Sequence, residues 1–213
     1  MDAPMVLHGY FRSAASWRVR IALALKGLAF DHVSHHLRRG EQRAPEYLAI
    51  NPQGFVPALD TGGSVITQSL AIIEFLDETH PQPPLLPGDA LLRARIRAFS
   101  LVLAADTHPL QNLGVLQQVR QLAADSEAAD AWAARVNAHG LSVCEALLDT
   151  ADTPFCFGDA PTLADVCLVP QLGNARRFKV DVSAFPRLLA REASCLALPA
   201  FAGAAPDVQP DAE

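Results

Sequence analysis

Short apolar stretches alternate with longer segments of helical spacing at the start of the chain. Residues 5 to 11, MVLHGYF, alternate loosely and precede the turn-like RSAAS, which predicts a short strand. In the SWRVRIALALKG that follows, Trp17, Ile21 and Leu25 recur at i, i+4 and i+8. This spacing predicts a helix with one apolar face, which the side chain of Ser16 can cap.

The next patterns complete a small α/β unit. We predict a strand in AFDHVSHHL, a short helix in GEQRAPEYLAINPQG, two short strands in VPALD and SVITQ, and a helix in SLAIIEFLDETHP that Ser69 caps. Pro57 lies in the first of the two short strands, where it cannot donate to a sheet, and is tolerated there if its peptide bond is cis. The order β-α-β-α-β-β-α predicts an α/β domain with a small sheet.

A proline-rich segment separates this part of the chain from a helical part. The segment PQPPLLPGD, residues 81–89, contains four prolines and is typical of a stiff linker. Beyond it, helical periodicity continues to about residue 201 with little strand signal. We therefore predict one domain over residues 1–84 and an all-α domain over residues 90–213, and we expect the polar tail APDVQPDAE to be frayed.

Two local signals mark the helical part. Pro109 interrupts a long helical pattern, so it kinks one helix or separates two. Thr162 precedes Asp165 by three residues at the start of TLADVCLVPQLGNARRF, which is the spacing of a capping box with Asp in place of the usual Glu.

Composition and charge exclude several classes of protein. The 213 residues are 50% hydrophobic and 19% charged, as in a globular protein, and the formal net charge of −6 does not favour binding to nucleic acid. The N-terminal MDAPMVLHGYF lacks the basic and apolar regions of a secretory signal. No apolar run reaches the roughly 18 to 20 residues that span a bilayer. We therefore expect a cytoplasmic protein without a membrane partner.

Neither the cysteines nor the histidines predict a metal site. His35 and His36 are adjacent on a predicted strand and point to opposite faces, so together with His32 they do not easily share an ion. No cysteine or carboxylate cluster completes a coordination sphere. The cysteines form no CxxC pair, and we expect them to be buried free thiols: Cys144, Cys156, Cys167 and Cys195.

Six short motifs, in order, resemble the glutathione transferase fold. FVPALD and QSLAIIEFL resemble the Val-Pro and Gln-Ser motifs of its thioredoxin-like half, and TLADVCLVPQ resembles the core helix of its C-terminal half. YFRSAASWRVRIAL, NPQGFVPALD and NARRFKVDV are similar to the zeta class in particular. The resemblance covers nearly the whole chain. It implies an α/β thioredoxin-like N-terminal domain that binds glutathione, an all-α C-terminal domain that binds substrate, and a homodimer.

The resemblance also implies a reaction. In the zeta class, the glutathione thiolate adds to the cis double bond of a maleyl diacid, the bond rotates, and the thiolate leaves unchanged. The expected activity is isomerisation of maleylacetoacetate to fumarylacetoacetate in tyrosine and phenylalanine breakdown. Three alternatives stay open: isomerisation of maleylpyruvate in the gentisate route, conjugation of glutathione to halogenated acids, and a glutathione-binding module without turnover.

The catalytic residues implied by the resemblance lie in RSAAS. Ser13 would donate its hydroxyl to the glutathione sulfur, and Arg12 would bind a substrate carboxylate, since a guanidinium can hold a carboxylate with two hydrogen bonds. The backbone N–H groups of Ala14, Ala15 and Ser16 would face the same sulfur. The zeta class usually has Ser-Ser-Cys-Ser here, and Ala14 and Ala15 stand in place of its second serine and its cysteine. Since glutathione supplies the sulfur nucleophile, a cysteine of the protein is in principle dispensable.

The other site residues carry over one position at a time. His108 and Asn112 would share a helical face near the sulfur if the helix continues through Pro109. Arg177 is favoured over Arg176 for a substrate carboxylate. The remaining contacts implied for glutathione are the main chain of Val56 before cis Pro57 for its cysteinyl part, Gln68 and Ser69 for its γ-glutamyl carboxylate, and Gln42 for its glycyl end.

Overall fold

The computed structural model describes residues 5–125, 127–148 and 152–213. They fall into two units. The first comprises the chain up to Leu85 together with Ala197–Glu213, and the second is Leu86–Leu196. The sequence prediction placed residues 197–213 in the helical domain, whereas in the structure they group with the α/β unit.

The first unit is built on a four-stranded mixed sheet. Its strand order is β2-β1-β3-β4, with β1 parallel to β2 and antiparallel to β3, and with β3 antiparallel to β4. Helices α1 and α3 contact each other, and Leu7, Leu59 and Ile72 are fully buried. The elements are β1 Met5–Gly9, α1 Ala14–Leu25, β2 Phe30–Ser34, α2 Pro45–Ile50, β3 Ala58–Asp60, β4 Val65–Thr67 and α3 Ser69–Thr79.

Helix α1 is capped at both ends by local hydrogen bonds. Ser13, rather than the predicted Ser16, is the N-cap residue, because its extended backbone lets its side chain accept from the N–H of Ser16. At the other end, Gly27 has a φ of +66° and Leu28 N–H donates to the carbonyl of Leu23 at 2.9 Å. This is a Schellman ending, which favours glycine because of the positive φ.

The second unit is helical. Helix α7 lies at its centre, is buried along most of its length and contacts α4, α6 and α8. The capping box predicted for Thr162 and Asp165 is present at its start. Its helices are α4 Ala90–Leu101, α5 Leu113–Ala123, α6 Ala128–Leu147, α7 Leu163–Arg177 and α8 Pro186–Leu196.

The segment around Pro109 differs from the prediction in detail. After α4 the chain forms a π-helical segment, Val102–Thr107, and then a 3₁₀ turn, His108–Gln111. Asn112 has extended backbone, with φ of −67° and ψ of 153°, and is the N-cap residue of α5. The helix therefore does not continue through Pro109, and the expected helical face shared by His108 and Asn112 does not exist.

The C-terminal segment is folded rather than frayed. Its short helix α9, Pro199–Ala202, contacts α1, and Phe201 is fully buried. The expectation of fraying rested on the polar composition of the last residues. It was wrong because charged side chains in this segment find partners far away in the sequence.

The four cysteines are free and buried. Burial raises the pKa of Cys144 and of Cys195 well above the usual thiol value, so both are kept protonated and unreactive.

Among the described helices, none is long and apolar enough to cross a membrane.

Candidate active site

The sheet register brings three predicted regions to one edge of the first unit. Since His8 pairs with Ala58 across antiparallel strands, the end of β1 lies level with the start of β3. Ala58 also pairs with Thr67, so the end of β4 lies at the same edge. The chain therefore leaves β1 towards Ser13, enters β3 from Val56 and leaves β4 towards Gln68 on the same side of the sheet.

At this edge, the side chain of Ser13 lies at the N-terminus of α1. Its Oγ accepts a hydrogen bond from the N–H of Ser16 at 3.2 Å, and its own N–H donates to the carbonyl of Tyr10 at 3.0 Å. The bond from Ser16 uses an oxygen lone pair, so the hydroxyl hydrogen is available for donation. The N–H groups of Ala14 and Ala15 belong to the first helical turn, where the helix itself supplies no acceptor. The site therefore offers donors and a positive helix end to an anion.

Arg12, directly before Ser13, is exposed. Its guanidinium carbon lies 5.2 Å from the centroid of the Phe11 ring, a cation–π distance. The positively charged side chain of Arg12 is therefore exposed on the residue adjacent to Ser13.

A second helix begins at the same edge with unusual backbone geometry. Gln68 precedes α3 with φ of 70° and ψ of 117°, and a positive φ costs energy for a residue with a side chain. Its Nε2 donates to Gln53 Oε1 at 2.8 Å. Ser69 was predicted to cap α3 but is its first helical residue, and its Oγ accepts from Arg18 Nη1 at 3.3 Å. This last bond ties α1 to α3 beside both helix N-termini.

The loop that leads into β3 lies against Gln42. The Val56–Pro57 peptide bond is cis, as the strand position of Pro57 predicted. Gly54 has a φ of +66°, and a Cβ added to it would lie 3.2 Å from the carbonyl oxygen of Gln42. The side-chain Oε1 of Gln42 is buried and has no hydrogen-bond partner among the described residues. Such an oxygen is costly to bury and is available to a donor from a ligand.

Two histidines, His8 in β1 and His35 just after β2, form a hydrogen bond with each other. His8 Nδ1 and His35 Nε2 are 3.0 Å apart, and the ring of His35 lies 4.2 Å from that of Tyr47. Burial lowers the pKa of His8 and of His35, so both rings are held neutral. The described residues contain no group of three or more side chains placed to hold a metal ion.

Four arginine, histidine and asparagine residues considered for the site lie in the second unit. His108 is half-buried in the 3₁₀ turn, and Asn112 is half-buried at the start of α5. Arg176 forms two hydrogen bonds of 2.5 Å with the carboxylate of Glu192. The guanidinium of Arg177 lies 5.0 Å from the centroid of the Phe178 ring.

The sequence did not predict the contacts that two charged residues, Arg20 and Asp211, make near Ser13. Arg20 is almost fully buried and donates to the carbonyl of Phe11 at 3.0 Å, and Asp211 accepts from the N–H of Phe11 at 3.0 Å. The position of Arg20 in a helical pattern does not predict its hydrogen bonds to backbone carbonyls. Asp211 lies 200 positions from its partner Phe11. No local pattern could have found the second contact.

Comparison with known proteins identifies similar chains over the full length. Residues 7–84 match the glutathione S-transferase N-terminal domain family, and residues 126–190 match the C-terminal domain family. A maleylacetoacetate isomerase of Rhizobium meliloti is 50% identical over 95% of this chain and 96% of its own.

Two solved structures have a similar fold. One is the holo structure of a maleyl pyruvate isomerase, a bacterial zeta-class glutathione S-transferase, with a TM-score of 0.95, 44% identity, and coverage of 98% of this chain and 100% of that one. The other is a maleylacetoacetate isomerase of Anaeromyxobacter dehalogenans with bound GSH in its active site. It has a TM-score of 0.90 and 41% identity, and each chain covers 100% of the other.

Proposed function

We propose that this chain, which belongs to the zeta class of the glutathione S-transferase family, is a glutathione-dependent cis–trans isomerase that converts maleylacetoacetate to fumarylacetoacetate. The observation that carries the proposal is the setting of Ser13, whose hydroxyl can still donate at the positive end of α1 with Arg12 beside it. Isomerisation of maleylpyruvate is the second candidate, because a protein so named is 44% identical with a TM-score of 0.95.

The described residues fit glutathione, a tripeptide with a thiol and two carboxylates. The buried Oε1 of Gln42 needs a donor, such as the glycyl N–H. The N-terminus of α3 offers backbone donors for the γ-glutamyl carboxylate at Gln68 and Ser69. We assign the cysteinyl part to the main chain of Val56 and the sulfur to Ser13. When bound, glutathione supplies the thiolate that attacks the double bond and is later regenerated.

Ser13 and its helix would keep the sulfur ionised. A free thiol has a pKa near 8.5. A hydroxyl donor and the N-terminal end of a helix both favour the anion, and therefore lower that value. In this role Ser13 donates through its hydroxyl hydrogen while its oxygen continues to accept from Ser16. The N–H groups of Ala14 and Ala15 remain available whatever their side chains, so the absence of the usual cysteine does not remove the anion site.

Two arginines would bind the substrate carboxylates. Arg12 is exposed next to Ser13 and can orient a diacid beside the sulfur. For the second carboxylate we assign Arg177, from the resemblance to the zeta class. The guanidinium of Arg176 forms two hydrogen bonds with the carboxylate of Glu192. His108 and Asn112 are proposed as further residues on the sulfur side, from the resemblance to the zeta class.

We also propose that the chain acts as a homodimer in the cytoplasm. The dimer is proposed from the resemblance to the zeta class, and Phe55, which is 51% exposed directly before the Val56–Pro57 bond, is one apolar side chain that an interface would cover. Size-exclusion chromatography with light scattering tests this assembly, and a monomer at micromolar concentration would contradict it.

The isomerase proposal is tested by incubating the purified chain with maleylacetone or maleylpyruvate and following the absorbance of the cis enol. We expect its loss to require glutathione and to follow saturation kinetics. A comparison of kcat/KM for the two substrates decides between the two isomerisations. Loss of absorbance with neither substrate would overturn the proposal, and turnover of chloroacetate or dichloroacetate alone would replace it with a conjugating activity.

A further inference from the structure

The C-terminal segment binds the loop that carries the candidate catalytic serine. Asp211 Oδ2 accepts from the N–H of Phe11 at 3.0 Å and from the hydroxyl of Ser34 at 2.6 Å. Asp211 Oδ1 lies 3.7 Å from His32 Nδ1. Phe11 is two residues before Ser13, so this carboxylate bonds the backbone next to the proposed site without reaching the site itself.

Arg20 binds the carbonyl oxygens of the same stretch of backbone. Its guanidinium donates to the carbonyl of Phe11 at 3.0 Å, to that of Tyr10 at 3.5 Å and to that of Ala204 at 3.1 Å. The backbone N–H of Phe11 is thus bound by the carboxylate of Asp211, and its carbonyl oxygen by the guanidinium of Arg20. Hydrogen bonds to charged groups are stronger than neutral ones, so this backbone is held firmly.

The same contacts extend to Ser13. The carbonyl of Tyr10 accepts from Arg20 and also from the N–H of Ser13, at 3.0 Å. A displacement of residues 10 and 11 would therefore move the start of α1. Burial lowers the pKa of Arg20 to about 10, and the nearby charge of Asp211 opposes that shift, so the two charges stabilise each other.

A second carboxylate anchors the end of the segment. Glu213 bonds His36 Nε2 at 3.2 Å and Arg39 Nη2 at 3.0 Å. Of these two partners Arg39 is exposed, and both lie in the turn after β2. The contact of Asp211 with Phe11 is the one that bears on Ser13.

We propose that Asp211 is a positioning residue for glutathione activation: by holding the N–H of Phe11 opposite Arg20, it fixes the hydroxyl of Ser13 where the glutathione sulfur binds. The inference rests on the proposed function. Asp211 does not touch glutathione or substrate in this role. It acts through the backbone between β1 and α1.

The test compares the full-length variants Asp211→Ala and Asp211→Asn with Asp207→Ala. Asp207 is an exposed acidic residue of the same segment, so its variant controls for the change in charge. For each protein we would measure the dissociation constant of glutathione by calorimetry, the apparent pKa of the bound thiol from its thiolate absorbance, and kcat against pH.

For Asp211→Ala we expect a higher apparent pKa of the bound thiol and a kcat about tenfold lower at neutral pH, because a slightly displaced donor activates the nucleophile poorly. The loss should shrink at alkaline pH, where the thiol ionises without help. Asp211→Asn should be intermediate, since its amide oxygen can still accept from Phe11, and Asp207→Ala should match the wild type.

A purely structural role gives a different result. Folded Asp211→Ala with a lower melting temperature but with the bound-thiol pKa and kcat of Asp207→Ala would overturn the inference and leave the proposed function intact. A wild-type chain that does not bind glutathione would overturn both. If Asp211→Ala does not fold, Asp211→Asn and Ser34→Ala decide, because each weakens the contact and is expected to raise the bound-thiol pKa.

Discussion

The side-chain oxygen of Ser13 accepts a hydrogen bond from the backbone N–H of Ser16 at 3.2 Å, across the first turn of α1. One hydroxyl therefore caps the helix with its oxygen and keeps its hydrogen for a ligand. The two uses do not compete, since they involve different atoms of the group. Stability and catalysis are both expected to depend on Ser13, and they can be separated by experiment.

Ser13→Ala should lower kcat by about a hundredfold, the typical cost of losing one donor to a reacting anion. It should also lower the free energy of unfolding by about 1 kcal/mol, because the cap is lost. Ser13→Thr keeps both the oxygen and its hydrogen and should retain most of the turnover. Full activity of Ser13→Ala in the cis-enol assay would show that another group activates the sulfur.

Much of the first unit could be predicted because its signals are local. The apolar alternation predicts β1, and the position of Pro57 indicates a cis bond, which the structure contains. The choice between Ser13 and Ser16 as cap could not be made locally. It depends on how the chain turns after β1, where Ser13 N–H bonds the carbonyl of Tyr10.

Long-range contacts account for what the sequence did not predict. The pattern around Pro109 indicated an interruption, but the π-helical segment before it forms where Thr107 packs closely against Gly140, far along the chain. The polar tail resembled a frayed end because its composition does not reveal that Asp211 bonds Phe11. The proposed glutathione contacts at Ser13 and Gln68 were predicted by resemblance, whereas Arg20 and Asp211, which bind the backbone just before Ser13, were not predicted to do so.

Arg12→Ala and Arg177→Ala should each raise KM for the diacid about tenfold, since each removes a charge-assisted bond to a carboxylate. KM for glutathione should change little. Arg93→Ala is the control, because Arg93 is an exposed arginine of α4 to which no part in the site is assigned. An unchanged KM for the diacid in either variant would remove that arginine from the substrate site.

The stability of the fold should decrease as the pH falls from about 7 to about 5. Burial lowers the pKa of His8, His32 and His35, and neighbouring histidines lower that of His35 further, against a smaller opposing effect of Glu41. Histidine in the unfolded chain has a pKa near 6.5. Below that pH the unfolded chain binds protons that the folded chain does not, so unfolding becomes more favourable.

The contribution of one histidine can be isolated by melting temperatures measured across this pH range. His35→Gln removes one of the titrating groups, so its melting temperature should depend less steeply on pH than that of the wild type. His80→Gln, a change at an exposed histidine of the same unit, should keep the wild-type slope. Equal slopes for all three proteins would contradict the assignment of His35.

Gly140→Ala should destabilise the second unit, because α6 passes very close to the π-helical segment at this point. An added Cβ would overlap Thr107 Oγ1 and lie 2.9 Å from its Cγ2. Thr107 is fixed there by a hydrogen bond from its hydroxyl to the carbonyl of Val102 at 2.7 Å. Overpacking of this kind costs about 3 kcal/mol, which corresponds to a fall in melting temperature of roughly 10 °C.

The matched control for this change is Gly114→Ala in α5, where, apart from the chain neighbours and the helix's own backbone, no atom of the described residues lies within 4 Å of the added Cβ. That variant should be as stable as the wild type or up to about 1 kcal/mol more stable, since alanine favours a helix over glycine. Thermal unfolding of the two variants therefore separates the loss of a glycine from the loss of space. If Gly140→Ala melts at or above the wild-type temperature, the close approach of Thr107 to α6 is not required by the fold.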